Sequence, residues 1–139
     1  MPQPLSRPIL AVGGFIRSRG QSFQHAFAGW YYVLRTQRNA WIHAVATACV
    51  VALAAWLKLN LRDWTELIIV VAMVWTAEFI NTALEAVVDL ASPQRHPLAR
   101  VGKDVGAAAV LIAAGAAALT GLLVLGPPLW SRLQGWFGH

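Results

Sequence analysis

Charged residues are scarce in this sequence. The chain has 139 residues, of which 12% are Asp, Glu, Lys or Arg and 58% are hydrophobic. Soluble domains carry about 25% charged residues. The mean hydropathy of +0.55 therefore excludes an ordinary soluble domain and indicates an integral membrane protein.

Cysteine and nucleotide-binding motifs are also lacking. The single cysteine, Cys49, lies within an apolar run, which excludes a disulfide framework and predicts a small buried side chain. The sequence contains no GxxxxGK[ST] loop, no GxGxxG loop and no HRD-type loop. Any nucleotide would therefore be bound without the phosphate loops of soluble nucleotide-binding proteins.

Three apolar stretches are long enough to cross a hydrocarbon layer of about 30 Å. They cover residues 40–59, 64–90 and 100–125. Gly126, Pro127 and Pro128 are expected to end the third span, which leaves residues 127–139 as a C-terminal tail. The predicted fold class is an all-α membrane protein.

The region before the spans has a different pattern. Residues 1–20 contain three prolines and three arginines and predict a disordered or surface-lying tail. Residues 21–38 place aromatic and leucine side chains on one helical face, which predicts an amphipathic helix in the membrane interface. Those side chains are Phe23, Phe27, Trp30, Tyr31 and Leu34.

The second span carries an acidic stripe. Glu78, Asn81, Glu85 and Asp89 are spaced 3, 4 and 4 residues apart and fall within roughly 80° on a helical wheel. A carboxylate inside a bilayer costs about 2.5 kcal/mol or more. These groups must therefore pair within the protein, bind a cation or meet water, and Lys103 or an arginine is the obvious candidate for pairing.

The distribution of basic residues predicts the orientation. Eight of the 11 lysines and arginines lie before span one or between spans two and three, and three lie on the other side of the membrane. The N-terminus and the polar turn at residues 92–97 are therefore expected on the cytoplasmic side. The net charge of +5 is expected to favour contact with anionic lipid rather than with nucleic acid.

The acidic stripe, Lys103 and Asp104 are expected to converge on one pocket at the cytoplasmic side. One carboxylate could hold Mg²⁺, a deeper one could take a proton from a lipid hydroxyl, and the lysine could neutralise phosphate charge. Spacing alone fits an ion or proton pathway about equally well.

Two sequence blocks favour the first alternative. AEFINTALEAVVD (residues 77–89) and VGKDVGAAAVLI (residues 101–112) resemble the signature blocks of the small bacterial integral-membrane diacylglycerol kinase and undecaprenol kinase family. The resemblance extends back through residues 22–43 and covers about residues 20–125. It implies an interfacial helix and three spans in the bacterial inner membrane. It also implies a homotrimer with composite sites, and transfer of the γ-phosphate of Mg·ATP to a membrane lipid alcohol.

The resemblance also implies roles for individual residues. Glu78 corresponds to the general base, and Asn81 stands beside it in the catalytic block. Glu85 corresponds to a ligand of metal and ATP. The other ATP-contacting positions are Gln94, Arg95, His96, Lys103 and Asp104. Asp89 is expected to pair with the lysine or arginines at the surface rather than to act as a ligand.

One position departs from the family pattern. Gln37 stands where the family usually has a glutamate that is a second ligand of the metal and ATP, so one negative charge is lost from the metal shell. The stretch RTQRNAWIH (residues 35–43) is more similar to the undecaprenol kinase branch. Two alternatives stay open: diacylglycerol as the acceptor, and a non-enzymatic membrane protein that acts as an ion pathway or as an assembly partner.

Overall fold

The computed structural model describes residues 7–94 and 96–137, with side chains for residues 20–94 and 96–136. The described residues form four α-helices and no strand: α1 (Arg7–Thr36), α2 (Arg38–Leu57), α3 (Leu61–Ala91) and α4 (Pro97–Phe137). Helices α2, α3 and α4 are long and apolar enough to cross a membrane. The prediction of an all-α membrane protein with three spans is confirmed.

Helix α1 belongs to a unit that ends at Thr36, and the other three helices belong to a second unit that begins at Gln37. The predicted tail is helical from Arg7 onward. A proline is tolerated there because Pro8 lies in the first turn, where its missing N–H has no intrahelical acceptor. Phe23, Phe27 and Tyr31 are exposed, and the position of this helix in the membrane interface stays a prediction.

A tight connection joins α2 to α3. Helix α2 ends at Leu57 and is capped by Lys58, which has φ 56° and donates its N–H to the carbonyl groups of Ala54 and Ala55. Helix α3 begins after Asn60, whose side chain accepts a hydrogen bond from the N–H of Asp63 at 3.0 Å. This pair of caps satisfies backbone groups at both helix ends and turns the chain back across the membrane.

The apolar core lies next to this connection. Ala54, Leu57, Leu67 and Leu125 are buried against one another, so α2, α3 and α4 are held together at the end of the bundle far from Glu78. Helix α3 packs mainly against α4, and α2 contacts both.

Helix α4 is longer than the sequence predicted. It begins at Pro97 and continues through Pro127 and Pro128, although each proline removes a donor to the carbonyl group four residues earlier. Contacts hold the last turns in place, because Leu129 packs on the apolar core and the Arg132 guanidinium lies 5.1 Å from the centre of the Trp56 ring.

The prediction of a buried side chain at Cys49 is wrong for the single chain. Cys49 is exposed because its position on α2 faces away from α3 and α4. On α4, Leu111 and Ile112 are 74% and 73% exposed. Only one face of α4 approaches α3, and the opposite face is left for lipid or another subunit.

Candidate active site

A cavity of about 290 Å³ lies between α2, α3 and α4, and we call it the carboxylate cavity. It contains four of the residues singled out from the sequence. It is lined by Gln37, Asn39, Ile42, His43, Glu78, Asn81, Glu85, Ala107, Val110, Leu111 and Ala114.

Glu78 is the most deeply buried of the acidic residues in this cavity. It is 1% exposed, and its Oε2 has no hydrogen-bond partner among the described residues. Buried polar atoms in proteins are nearly always paired, and an ionised carboxylate without a partner is especially costly. An unpaired carboxylate oxygen that faces a cavity is therefore suited to a proton or a ligand that comes from outside the chain.

His43 faces Glu78 across the cavity. Its Nε2 lies 3.8 Å from Glu78 Oε2, and this nitrogen is also buried without a hydrogen-bond partner. His43 was not among the site residues predicted from the sequence. The available signal was a histidine one turn into an otherwise apolar span, but its proximity to Glu78 depends on how α2 packs against α3.

Glu85 is held by two amides. Gln37 Nε2 donates to Glu85 Oε2 at 3.0 Å, and Asn81 Nδ2 donates to Glu85 Oε1 at 3.1 Å. The sequence assigned Gln37 to the interfacial helix. It is instead the extended residue between α1 and α2, with φ −103° and ψ 115°, and this backbone conformation lets its side chain reach α3.

A glycine on α4 allows the close approach at Asn81. A Cβ at Gly106 would collide with Asn81 Oδ1 and would lie 3.1 Å from Leu84 Cδ2. Asn81 Oδ1 is buried and has no partner in the described part of the chain. The small residue at position 106 thus gives the Asn81 amide the space in which it contacts Glu85.

The remaining predicted residues lie in a second cavity, of about 620 Å³, which we call the turn cavity. Gln94, His96, Lys103 and Asp104 all line it. Arg95 lies outside the described residues. The turn cavity surrounds the α3–α4 turn, and its other lining residues are Val88, Asp89, Ser92, Pro93, Pro97, Ala99 and Arg100.

Charges in the turn cavity are paired within the chain. Lys103 Nζ donates a hydrogen bond to Asp89 Oδ1, which confirms the expected surface pair. Arg100 Nε lies 3.7 Å from Asp104 Oδ2, one helical turn away. Both pairs are largely exposed, and such surface pairs are worth about 1 kcal/mol or less.

The prediction of a single pocket is wrong for one chain, because the predicted site residues divide between two cavities. The division follows the axis of α3. Asn81 and Glu85 line the first cavity, and Val88 and Asp89 line the second, one turn further along the helix. Val88 packs near Gly102, at the close approach of α3 and α4.

The residues of the carboxylate cavity fit a magnesium ion. Among the described residues, no group of three or more His, Cys, Asp or Glu side chains could form a metal centre. Mg²⁺ needs fewer protein ligands, since it commonly takes one or two carboxylates and completes its shell with water and substrate phosphate. Glu85 and the amide oxygen of Gln37 are hard oxygen donors of the preferred type, although the Gln37 amide here turns its N–H to Glu85.

Comparison with known proteins gives matches over the part of the chain that contains both cavities. Residues 24–125 match the profile of the family described as prokaryotic diacylglycerol kinase. The chain is 35% identical over 109 residues to an undecaprenol kinase of Bacillus subtilis, covering 78% of this chain and 89% of the relative. It is 43% identical over 113 residues to a diacylglycerol kinase of Synechocystis, covering 81% of this chain and 65% of the relative. A diacylglycerol kinase of Escherichia coli is 37% identical over 108 residues, which is 73% of this chain and 85% of the relative.

Proposed function

From the premise that this chain belongs to the prokaryotic diacylglycerol kinase family and is an ATP-dependent lipid kinase, we propose that it phosphorylates the hydroxyl of a membrane lipid alcohol. The phosphate donor is Mg·ATP. The observation that carries the proposal is the unpaired, buried carboxylate of Glu78 beside a second carboxylate held by two amides.

In the proposed reaction, the acceptor hydroxyl enters the carboxylate cavity and gives its proton to Glu78. The hydroxyl oxygen attacks the γ-phosphorus, the bond to the β-phosphate oxygen breaks, and ADP leaves. A positioned general base contributes about 10²–10⁴-fold to such a step. Since Glu78 accepts no hydrogen bond at Oε2 within the described chain, this oxygen is available for the acceptor proton.

Glu85 and Gln37 would hold the magnesium ion. A magnesium ion held there would supply positive charge that offsets the negative charge developing during transfer. The two amides that donate to Glu85 fix the direction of its carboxylate, and rotation of the Gln37 amide would present its oxygen. Asn81 would keep Glu85 in place as the phosphates arrive.

The turn cavity would hold the rest of the nucleotide. Lys103 is a compact cation suited to phosphate, and its present partner, Asp89, is 66% exposed in its side chain and easily displaced. Gln94, His96 and Asp104 line the same cavity and would contact the nucleotide, as would Arg95. In the proposed homotrimer, the turn cavity of one subunit can hold the nucleotide whose phosphate is transferred in the carboxylate cavity of another subunit.

We propose that the protein lies in the bacterial inner membrane with its N-terminus in the cytoplasm. This places the turn cavity next to cytoplasmic ATP. Helix α3 has 31 residues and is about 46 Å long at 1.5 Å per residue, longer than the ~30 Å hydrocarbon layer. Its second half, with Glu85 and Asp89, can therefore reach the membrane surface.

The rival reading as an ion or proton pathway has less support. Beyond His43, the next cavity along the bundle is lined by apolar side chains, among them Val50, Leu67, Val70 and Val74. Of its lining residues only His43 and Thr47 carry polar side chains, and the Thr47 hydroxyl already accepts a hydrogen bond from Trp75, so an ion would find little there to replace its water. The polar region thus ends near Glu78, as suits a site at one membrane surface.

Undecaprenol is the proposed acceptor, and diacylglycerol is the alternative. The test is transfer of radiolabelled phosphate from ATP by the purified protein in mixed micelles that contain one lipid or the other. We expect a labelled lipid product with a preference for undecaprenol. Preference for diacylglycerol would reverse the assignment of the acceptor, and no transfer to either by folded, assembled protein would overturn the kinase proposal.

A further inference from the structure

Among the described residues, His43 is the one with a buried, unpartnered polar atom in the carboxylate cavity that the proposed reaction leaves without a role. Its side chain is 15% exposed, and its Nε2 faces the 2% exposed side chain of Glu78 across 3.8 Å. The structure gives neither facing atom a hydrogen-bond partner. Two complementary groups are thus buried together, just beyond hydrogen-bond distance.

We propose that His43 is a positioning residue for Glu78, which it orients toward the acceptor hydroxyl by donating a hydrogen bond from Nε2–H to Oε2. The inference rests on the proposed function, because it assigns Glu78 as the base. An ionised carboxylate only accepts hydrogen bonds, so the imidazole must carry its hydrogen on Nε2. Closing the distance to about 2.8 Å takes a movement of about 1 Å.

The surroundings of His43 fix its ring for this task. The Trp75 ring meets it edge to face, with centroids 6.4 Å apart. The Trp75 indole N–H donates to Thr47 Oγ1 at 3.2 Å, and the same ring lies against Phe79, with centroids 6.1 Å apart. Because Thr47 is on α2 with His43 and Trp75 is on α3 with Glu78, these contacts set the distance between the two helices.

The geometry explains why a donor at this position would change turnover rather than nucleotide binding. His43 lies beside Glu78, whereas Glu85, the proposed metal ligand, takes its hydrogen bonds from Gln37 and Asn81. Misplacement of a reacting group by about 1 Å can lower a rate about 100-fold. A loss of orientation at Glu78 should therefore lower kcat and leave the KM for ATP within about twofold of wild type.

Three substitutions separate hydrogen bonding from packing. In His43→Gln, the side-chain amide nitrogen occupies a place similar to imidazole Nε2. In His43→Asn, it corresponds to Nδ1 and falls short of Glu78. His43→Leu keeps apolar volume against Trp75 and offers no donor.

We expect His43→Gln to keep kcat within about threefold of wild type, and His43→Asn and His43→Leu to lower it about tenfold to a hundredfold. Equal rates for the Asn and Gln variants, or a wild-type kcat for His43→Leu, would overturn the inference. If the Leu variant does not fold, the comparison of Gln with Asn still decides. Loss of activity in Glu78→Gln together with wild-type rates in every His43 variant would refute this inference and leave the proposed function intact.

A spectroscopic measurement tests the contact without activity. In protein labelled with ¹⁵N in its histidine rings, the His43 signal is assigned by its absence from His43→Gln. We expect Glu78→Gln to shift the His43 Nε2 resonance, because the carboxylate acceptor is replaced by an amide. An unchanged resonance would contradict the hydrogen bond, whichever reaction the protein catalyses.

Discussion

The charged side chains of the two cavities differ in burial and in pairing. In the turn cavity, Lys103 pairs with Asp89 and Arg100 lies near Asp104, and these pairs are largely exposed. In the carboxylate cavity, Glu78 is buried and one of its oxygens has no partner in the described part of the chain. Exposed charges can pair or separate at little energetic cost, whereas a buried unpaired carboxylate is costly. This difference is the reason for our proposal that the carboxylate cavity performs the chemistry and that the turn cavity binds a charged ligand.

The largest effect is expected from Glu78→Gln. This change keeps the shape of the side chain and removes the proton acceptor, so lipid phosphorylation should fall about 10²–10⁴-fold while nucleotide binding and assembly stay near normal. Rates of phosphate transfer and a nucleotide-binding titration measure the two effects. Glu66→Gln is the matched control, since Glu66 lies on the same helix in an exposed pair with Arg62. Activity of Glu78→Gln within a few-fold of wild type would refute the assignment of the base.

Gly106→Ala should have the next largest effect, because the added Cβ collides with Asn81 Oδ1. The Asn81 amide would turn away, and Glu85 would lose one of its two donors. We expect loss of about 1 kcal/mol of stability and a lower rate, measured by thermal unfolding and phosphate transfer. Gly115→Ala is the control on the same helix, because nothing lies within 4 Å of a Cβ there. Equal behaviour of the two variants would show that the close approach at Gly106 is unimportant.

Gln37→Glu should raise the apparent affinity of the protein for Mg²⁺. A carboxylate in place of the amide adds a negative charge to the proposed magnesium shell, so half-maximal activity should need several-fold less Mg²⁺. Asn39→Asp adds the same charge two residues away in the same cavity and should shift the titration less. Superimposable titrations for Gln37→Glu and wild type would exclude residue 37 from the metal shell.

The smallest effect is expected from Asp89→Asn. The change removes the exposed partner of Lys103, so stability should change by about 1 kcal/mol or less. Release of the lysine should leave the KM for ATP unchanged or slightly lower. A chemical denaturation curve and an ATP titration measure both effects. A large loss of stability would show that the turn cavity depends on this exposed pair. That result would contradict the difference between the two cavities described above.

The sequence predicted those parts of the site that depend on one helix. Glu78, Asn81 and Glu85 share a face because of the helical period, and all three line one cavity. The Asp89–Lys103 pair between α3 and α4 was also predicted, but two other contacts between elements were not. His43 meets Glu78 only through the packing of α2 on α3, and Gln37 reaches Glu85 only because its backbone is extended between two helices.

The ends of the fold were predicted less well for a related reason. Local rules end a helix at consecutive prolines, but α4 continues through Pro127 and Pro128. Its last turns are stabilised by tertiary contacts of Leu129 and Arg132, which local sequence does not reveal. The spans themselves were predictable because length and hydropathy determine them.

The most direct test of the central claim is the consumption of ATP by the purified, assembled protein in detergent micelles that contain Mg²⁺. It is measured with and without a lipid alcohol. A lipid kinase should form ADP when the alcohol is present, in an amount equal to the phosphorylated lipid, and should form little without it. ATP consumption that does not respond to the alcohol, or none at all, would contradict the assignment of the carboxylate cavity as a lipid phosphotransfer site.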